Sequence, residues 1–383
     1  MESNQRKLTI GVIGCGHWGP NHIRVFSELE HSRVIACADT NVIRRARIMQ
    51  RFPRVTAADD YRRVLGNPEV DAVVIATPTD THAVMAREAL QSGKHVLVEK
   101  PMCRTSAEAM ELVELARATG KVLMVGHVFL FNNGIRRLRD TIVGGALGRV
   151  HYMDAVRTNL GPVRGDVNAL YDLGTHDISI MNYLMGALPT EVSALGRCIS
   201  QATVEDVCFA TLKYPDDTLG HIHISWMNPR KVRTLTVVGE QKMAHWDDVD
   251  PDATLRLYDK GFAEPPYYDS YGEFRCLLRN ADVHLPAVHK TEPLVAQAEA
   301  FVNWVRTGVP AGPTAQDGVN VVRILEAAAQ SMRSGGGMVR IGGTTPEVCK
   351  SATVAARNVV FNDEGAYPAI ADHTAAGHER STL

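Results

Sequence analysis

The sequence has no apolar run long enough to span a bilayer, and its seven cysteines (Cys15, Cys37, Cys103, Cys198, Cys208, Cys276 and Cys349) lack the paired spacing of zinc or redox sites. These absences exclude a membrane-spanning chain and a cysteine-built scaffold, and the cysteines read as reduced core residues in cytosol. An excess of one charge is missing too. Lys and Arg number 41 against 43 Asp and Glu, a formal net charge of -2 that gives no general attraction to nucleic acid or to an anionic membrane. Met1 to Lys7 is polar and lacks the apolar stretch of a secretory leader, so a cytoplasmic location is expected. No internal repeat is visible. What remains is 383 residues with 45% hydrophobic content, enough for two packed domains.

From Leu8 to about Gly126 short apolar runs alternate with helical patterns. Thr9–Ile13, Val34–Ala38, Ala72–Ala76, Val96–Val98 and Val122–Val125 read as strands, and Asn21–Leu29, Val42–Arg51, Thr81–Ser92 and Ser106–Thr119 as helices, with Gly93 and Gly120 where C-caps belong. The alternation predicts an α/β fold with a doubly wound parallel sheet over residues 1–126. Beyond it comes a helix near Ile135–Val143, then alternating segments at Val150–Thr158, Glu191–Leu195, Cys208–Tyr214, Gly220–Trp226 and Thr234–Val238. They predict an α+β domain over 127–343 with a large, mostly antiparallel open sheet, one face covered by helices. Glu292–Arg306 and Gly318–Ser334 read as late helices, the second packing on the sheet or on the first domain. Residues 344–383, rich in Ala, Asp and His, are expected to be a weakly ordered tail.

The candidate chemistry gathers where strands of the first sheet end. Gly14-Cys15-Gly16-His17-Trp18-Gly19 follows a strand and opens a helix, the context in which glycines let the backbone approach a pyrophosphate and free helix N-terminal amides bind it. Asp39 closes the second strand, where a carboxylate accepts hydrogen bonds from both adenosine ribose hydroxyls, favouring NAD over NADP; Arg44 and Arg45 keep a 2′-phosphate in play. Thr77 and Pro78 would flank the cofactor, Thr79 or Thr81 is available as a helix cap, and His82 is divided between packing and binding. Glu99-Lys100-Pro101 ends a strand buried on both faces, and Pro101 restricts Lys100 to extended backbone, so the ammonium is aimed into a crevice.

In the second half, Asp172 and His176 share a helix face at i, i+4, a spacing that lets a carboxylate support an imidazole for acid and base work. Gly174 between them costs about 1 kcal/mol in a helix interior, which a close approach of substrate or cofactor would explain. Arg157, Asn159, Arg164 and Asn168 form a donor-rich run suited to a phosphate or carboxylate and sugar hydroxyls. No metal site is expected, because a second close ligand is missing; His221 and His223 read as solvent-facing.

Taken in order, Gly14-x-Gly16-x-x-Gly19, Glu99-Lys100-Pro101 and Asp172-x-x-x-His176 resemble the family of glucose-fructose oxidoreductase and inositol dehydrogenase over about residues 6–341. The resemblance implies a Rossmann domain, a second domain whose open sheet makes oligomer contacts as a dimer or tetramer, and nicotinamide-dependent redox at a sugar or cyclitol hydroxyl, with Lys100, Asp172 and His176 as catalytic set. Gly14 to Asn21, Gly126 to Asn132 (His127 included) and Asp177 to Ile180 look most like the sugar-nucleotide 3-dehydrogenases. Ser179 stands where inositol dehydrogenases carry an acid, and Thr175 where many sugar-nucleotide enzymes carry proline. An inositol, free aldose or sugar phosphate substrate, or a non-catalytic NAD-bound sensor, are the alternatives. In the implied chemistry His176 takes the hydroxyl proton, Lys100 holds the reacting oxygen, and Asp172 keeps Lys100 or His176 in place. Lys100→Met is expected to leave cofactor affinity intact and lower turnover by orders of magnitude; near wild-type turnover would overturn the assignment.

Overall fold

The computed structural model describes residues 6–263 and 277–342, so the expected tail, residues 344–383, lies outside the described residues. The first sheet is built from β1 (Leu8–Ile13), β2 (Ser32–Ala38), β3 (Thr56–Ala58), β4 (Ala72–Ile75), β5 (His95–Glu99) and β6 (Leu123–Gly126). Every pairing is parallel and the order is β3-β2-β1-β4-β5-β6, the doubly wound arrangement in which ligands bind beyond the strands' carboxyl ends. Interleaved helices are α1 (Gly19–Glu28), α2 (Val42–Arg51), α3 (Tyr61–Leu65), α4 (Thr79–Gln91) and α5 (Ser106–Thr119). Local chemistry fixes their ends. The Asn41 side chain accepts from the first turn of α2, Thr105 and Glu108 form a reciprocal capping box on α5, and Gly120 stops α5 in the left-handed region at φ 63°. The cap expected from Thr79 or Thr81 is absent. Pro78 occupies the cap position of α4, and the Thr81 hydroxyl bonds the Pro78 carbonyl and the Thr77 hydroxyl instead.

The second sheet holds nine strands: β7 (Val150–Leu160), β8 (Glu191–Arg197), β9 (Val207–Lys213), β10 (Leu219–Ser225), β11 (Met227–Gly239), β12 (Met243–Asp247), β13 (Leu255–Ala263), β14 (Leu277–His284) and β15 (Val339–Arg340). Its order is β14-β13-β12-β11-β7-β10-β9-β8-β15, antiparallel except where β10 joins β7 in parallel. On β9 and β10 buried Cys208, Ala210, Leu212, Ile222 and Ile224 alternate with exposed or half-buried Phe209, Thr211, His221 and His223. The inner face packs on α6 (Asn133–Val143), α7 (Thr175–Met185) and part of α9 (Ala315–Arg333) in a continuous core that includes Leu138, Met181, Leu184, Trp226 and Trp246. On the outer face Tyr152, Leu195, Phe209 and Leu219 are exposed among the described residues.

Two late helices stitch the layers together. α8 (Pro293–Thr307) returns to the first sheet, where Leu294, Ala298 and Phe301 fill one face with Ile10, Val12, Phe26 and Leu97. α9 faces both ways: Val319 and Val322 join the opposite face of the first sheet, while Val321, Ile324 and Leu325 join the core of the second. Among the described residues no helix is long and apolar enough to cross a membrane. Phe301 is fully enclosed against Phe26, so Phe301→Ala should lower the unfolding free energy by about 3–5 kcal/mol in urea titration, by loss of contacts and the cavity left behind.

Candidate active site

The carboxyl end of β5 meets the start of α7. Lys100 Nζ donates to the main-chain oxygen of Asp172 at 2.7 Å and to its Oδ1 at 3.3 Å. Arg164 Nη1 reaches the same Oδ1 at 2.9 Å, and Trp226 Nε1 lies 3.3 Å from Oδ2. Burial opposes the Asp172 charge, yet Lys100 and then Arg164 outweigh it and hold the carboxyl below its usual range. Asp172 is therefore an ionised acceptor with both oxygens engaged. An ammonium has three donors and Lys100 spends two directions on Asp172, which leaves one for a ligand.

The expected Asp172–His176 pair does not form. Residues Leu170–Gly174 make a π-helical turn ahead of α7, with Thr175 N–H bonding back to the Leu170 carbonyl, and the widened turn shifts the i, i+4 register on which the pairing rested. His176 instead packs edge-on against Phe129, ring centroids 4.8 Å apart; Nδ1 is enclosed without a partner and Nε2 is the nitrogen left available. Burial, and next the positive charge of Lys100, drive its pKa well below the ordinary value, so the ring is neutral. Gly174 also has a different reason from the one expected. A Cβ there would sit 2.5 Å from Leu170 and 3.4 Å from Ile224, so the glycine lets the π turn lie against β10 rather than admitting a ligand.

The dinucleotide fingerprint has the geometry it needs. Gly14 has φ +92° and a Cβ would be 2.5 Å from the Ala76 oxygen, while a Cβ on Gly19 would fall 1.9 Å from the Gly14 oxygen. Gly16, by contrast, would meet nothing nearer than Arg44 at 3.9 Å, leaving open space over the turn. No side chain caps α1; Asn21 N and His22 N both donate to the Trp18 carbonyl and Pro20 has no N–H, so a phosphate would meet the Gly16–Gly19 turn itself, where His17 and Trp18 stand exposed at the rim. Asp39 accepts from Cys15 N and Asn41 N, both at 2.8 Å, and Arg44 lies 3.6 Å from it, more than half exposed. The residues fit a dinucleotide.

Other expected contacts are spent elsewhere. The His82 ring nitrogens lie 2.9 Å from the carbonyls of Pro101 and Thr77, tying α4 to both strand ends, and burial lowers its pKa. Of its two readings, packing and binding, both ring nitrogens are spent on packing, while Thr77 and Pro78 stay at the sheet edge. The Glu99 carboxylate turns inward, 2.7 Å from His22 Nε2, because the strand's alternation points it away from the crevice. Arg157 grips Asp177 through two 2.8 Å hydrogen bonds, with its guanidinium over the Phe129 ring at 4.4 Å and only 2% of its side chain exposed, so it braces the site from beneath and is closed to substrate. Asn159 bonds the Gly161 carbonyl. Asn168 caps the turn at Tyr171 N and donates to Glu205, which makes both asparagines structural. Arg164 bridges Asp166 and Asp172 and is a partner of the Lys100–Asp172 pair more than a free anion hook. His127 lies nearby, fully buried with neither ring nitrogen partnered, its pKa pushed down to about 4 by burial. Phe129, Asp177 and Trp226 were not foreseen; an aromatic two residues past Gly126-His127 was the one visible signal. His221 pairs with Asp154 at 2.8 Å on the open sheet face. Among the described residues no group of three or more His, Cys, Asp or Glu is placed to hold a metal.

A family model described as an oxidoreductase family with an NAD-binding Rossmann fold matches residues 8–127, and its C-terminal domain model matches 135–245. Over 327 residues the chain is 30% identical to UDP-N-acetylglucosamine 3-dehydrogenase of Acidithiobacillus ferrooxidans, covering 84% of this chain and 96% of that protein. The chain belongs to the Gfo/Idh/MocA family. It is 27% identical over 353 residues to inositol 2-dehydrogenase 2 of Paenarthrobacter aurescens, covering 87% and 98%. The solved structure of the Acidithiobacillus enzyme GnnA superposes with TM-score 0.72 at 26% identity, over 86% of this chain and 98% of that one. GenD2 from gentamicin A biosynthesis, solved with NAD, shares the fold at TM-score 0.75 and 24% identity, over 88% and 97%. As a Gfo/Idh/MocA member the protein is an NAD-binding oxidoreductase. When bound, NAD supplies a hydride acceptor; the Gly14–Gly19 turn at the start of α1 would hold its pyrophosphate and Asp39 its adenosine ribose.

A neutral buried His176 sets a pH test. Its folded pKa is depressed, so the unprotonated ring persists below the ordinary histidine range and is lost only as pH falls through the lower value. The acid limb of kcat/KM for alcohol oxidation should therefore stay flat through pH 6.5 and fall below it. A break centred at 6.5 would show that His176 is not the titrating base.

Proposed function

We propose that the protein transfers a hydride between a sugar ring hydroxyl, C3 of a nucleotide-linked sugar, and the nicotinamide of NAD. The observation that carries this reading is the meeting, at the carboxyl edge of the NAD-binding sheet, of an ammonium with a spare donor and a neutral imidazole with an open nitrogen. In oxidation His176 Nε2 takes the hydroxyl proton, and in reduction it returns it. Lys100 donates to the same oxygen and stabilises the negative charge that develops on it. Asp172 positions Lys100 through two acceptors. A sugar substrate is supported by the dehydrogenases named above, and C3 chemistry by the 30% identity to a UDP-N-acetylglucosamine 3-dehydrogenase. Self-association as a dimer or tetramer is supported by Tyr152, Leu195, Phe209 and Leu219, exposed on the open sheet.

The test is formation of reduced nicotinamide on incubation with NAD and a panel of UDP-sugars, sugar phosphates, free aldoses and cyclitols. UDP-N-acetylhexosamines should turn over fastest, inositol at the head of the panel would redirect the reading to a cyclitol dehydrogenase, and silence throughout would favour a sensor. Because Arg164 bonds Asp172, Arg164→Ala should lower kcat about tenfold or more on every substrate that turns over; a change confined to KM would make Arg164 a substrate ligand only.

A further inference from the structure

A cavity of about 610 Å³ lies behind the catalytic cluster, bounded by α6, α7 and the loop entering α9. Lys100, Asp172 and His176 do not line it, and its volume is that of a small-molecule site. Two guanidiniums one turn apart on α6 face it. Arg136 bonds the Leu130 carbonyl through Nε at 3.0 Å and lies over the Phe131 ring at 5.0 Å. Arg139 lies over Tyr183 at 5.0 Å and, among the described residues, makes no hydrogen bond or ion pair of its own. Stacking fixes both planes while leaving donor edges free, the preorganised form of arginine that binds oxyanions.

His127 forms part of the lining, 1% exposed, with both ring nitrogens buried and unpartnered. A buried imidazole without acceptors is costly, and a ligand oxygen in the cavity would satisfy it. Ser179 adds a hydroxyl already donating to the His176 carbonyl at 2.7 Å, with its own oxygen free to accept. The opposing charge is Asp317, whose Oδ2 caps α9, accepting from Thr314 N at 2.7 Å and Thr314 Oγ1 at 2.8 Å. Two cations against one carboxylate leave the cavity positive. Leu130, Phe131, Leu188 and Val321 make the remaining wall apolar.

We propose that this cavity is a second ligand site, separate from the cofactor and substrate cleft, for a small phosphate monoester with an apolar or ring body, its phosphate held by Arg136 and Arg139 and an oxygen of it bonded by His127. The proposal stands whether or not the substrate reading does, because binding is read without turnover. Titration calorimetry would be run on NAD-saturated protein, so that the cofactor cradle is filled, with phenyl phosphate, inorganic phosphate and phenol. Phenyl phosphate should bind with one site per chain, phenol at least tenfold more weakly, and inorganic phosphate more weakly than the ester. Arg139→Gln should weaken phenyl phosphate about tenfold and the Arg136→Gln/Arg139→Gln pair should abolish it; if the pair does not fold, Arg139→Gln alone decides. Absence of phenyl phosphate binding up to millimolar concentration, equal affinity for phenol, or unchanged affinity in Arg139→Gln would overturn the site. Inorganic phosphate binding as tightly as the ester would overturn the ring-bearing ligand.

Discussion

Everything at the site depends on one interaction that crosses between the two layers: Lys100, at the end of a strand buried on both faces, bonded to Asp172 at the head of α7. Pairing two charges in a partly dry setting adds little net stability, because desolvation consumes most of the attraction. Its value is positional. The main-chain bond from Lys100 fixes where the π turn sits, Arg164 and Trp226 then fix the Asp172 carboxylate, and His176 is carried to the same mouth one turn later.

Charge around this tie is arranged so that the imidazoles stay uncharged. Arg157 is paired with Asp177 and Glu99 with His22, while His176 lies near Lys100 and both it and His127 are in dry surroundings. A cationic base beside a cationic donor would repel it. Desolvation is the largest cause in both rings; at His176 the Lys100 charge adds to it, whereas at His127 the Asp317 and Glu99 charges oppose it.

Strands β1, β2, β4 and β5 and helices α2 and α5 were legible because each is a buried run or an amphipathic repeat with its cap in place, and α2 and α5 begin and end at the residues expected. β3 and α3 were not, since three and five residues are too short to show a period. In the site, Lys100 and the glycine fingerprint could be placed because a strand end and a tight turn are local facts. Of the partners of Asp172, Lys100 was one of two expected alternatives and the structure has it, whereas Arg164 and Trp226 could not be read as its partners. Trp226 is 54 residues away in sequence, and the π turn that redirects Asp172 leaves no mark in residue spacing. Arg157 misled for a related reason: in an alternating strand composition does not say which face a cation takes, and this one faces Asp177 inside the protein.

The return of α8 to the first sheet bears on how the chain is made. Strands β1 to β6 are complete by Gly126, yet the face formed by Ile10, Val12 and Leu97 is closed by Leu294 and Phe301. On the ribosome the dinucleotide-binding layer therefore emerges with that side covered only in part, by Ile23 and Phe26 of α1 and Ile48 of α2, and it stays so until the whole second sheet up to β14 has been synthesised. A nascent chain of this kind has a long interval in which that side invites chaperone contact, and a chain ending before residue 293 would lack the part of its cover that α8 supplies.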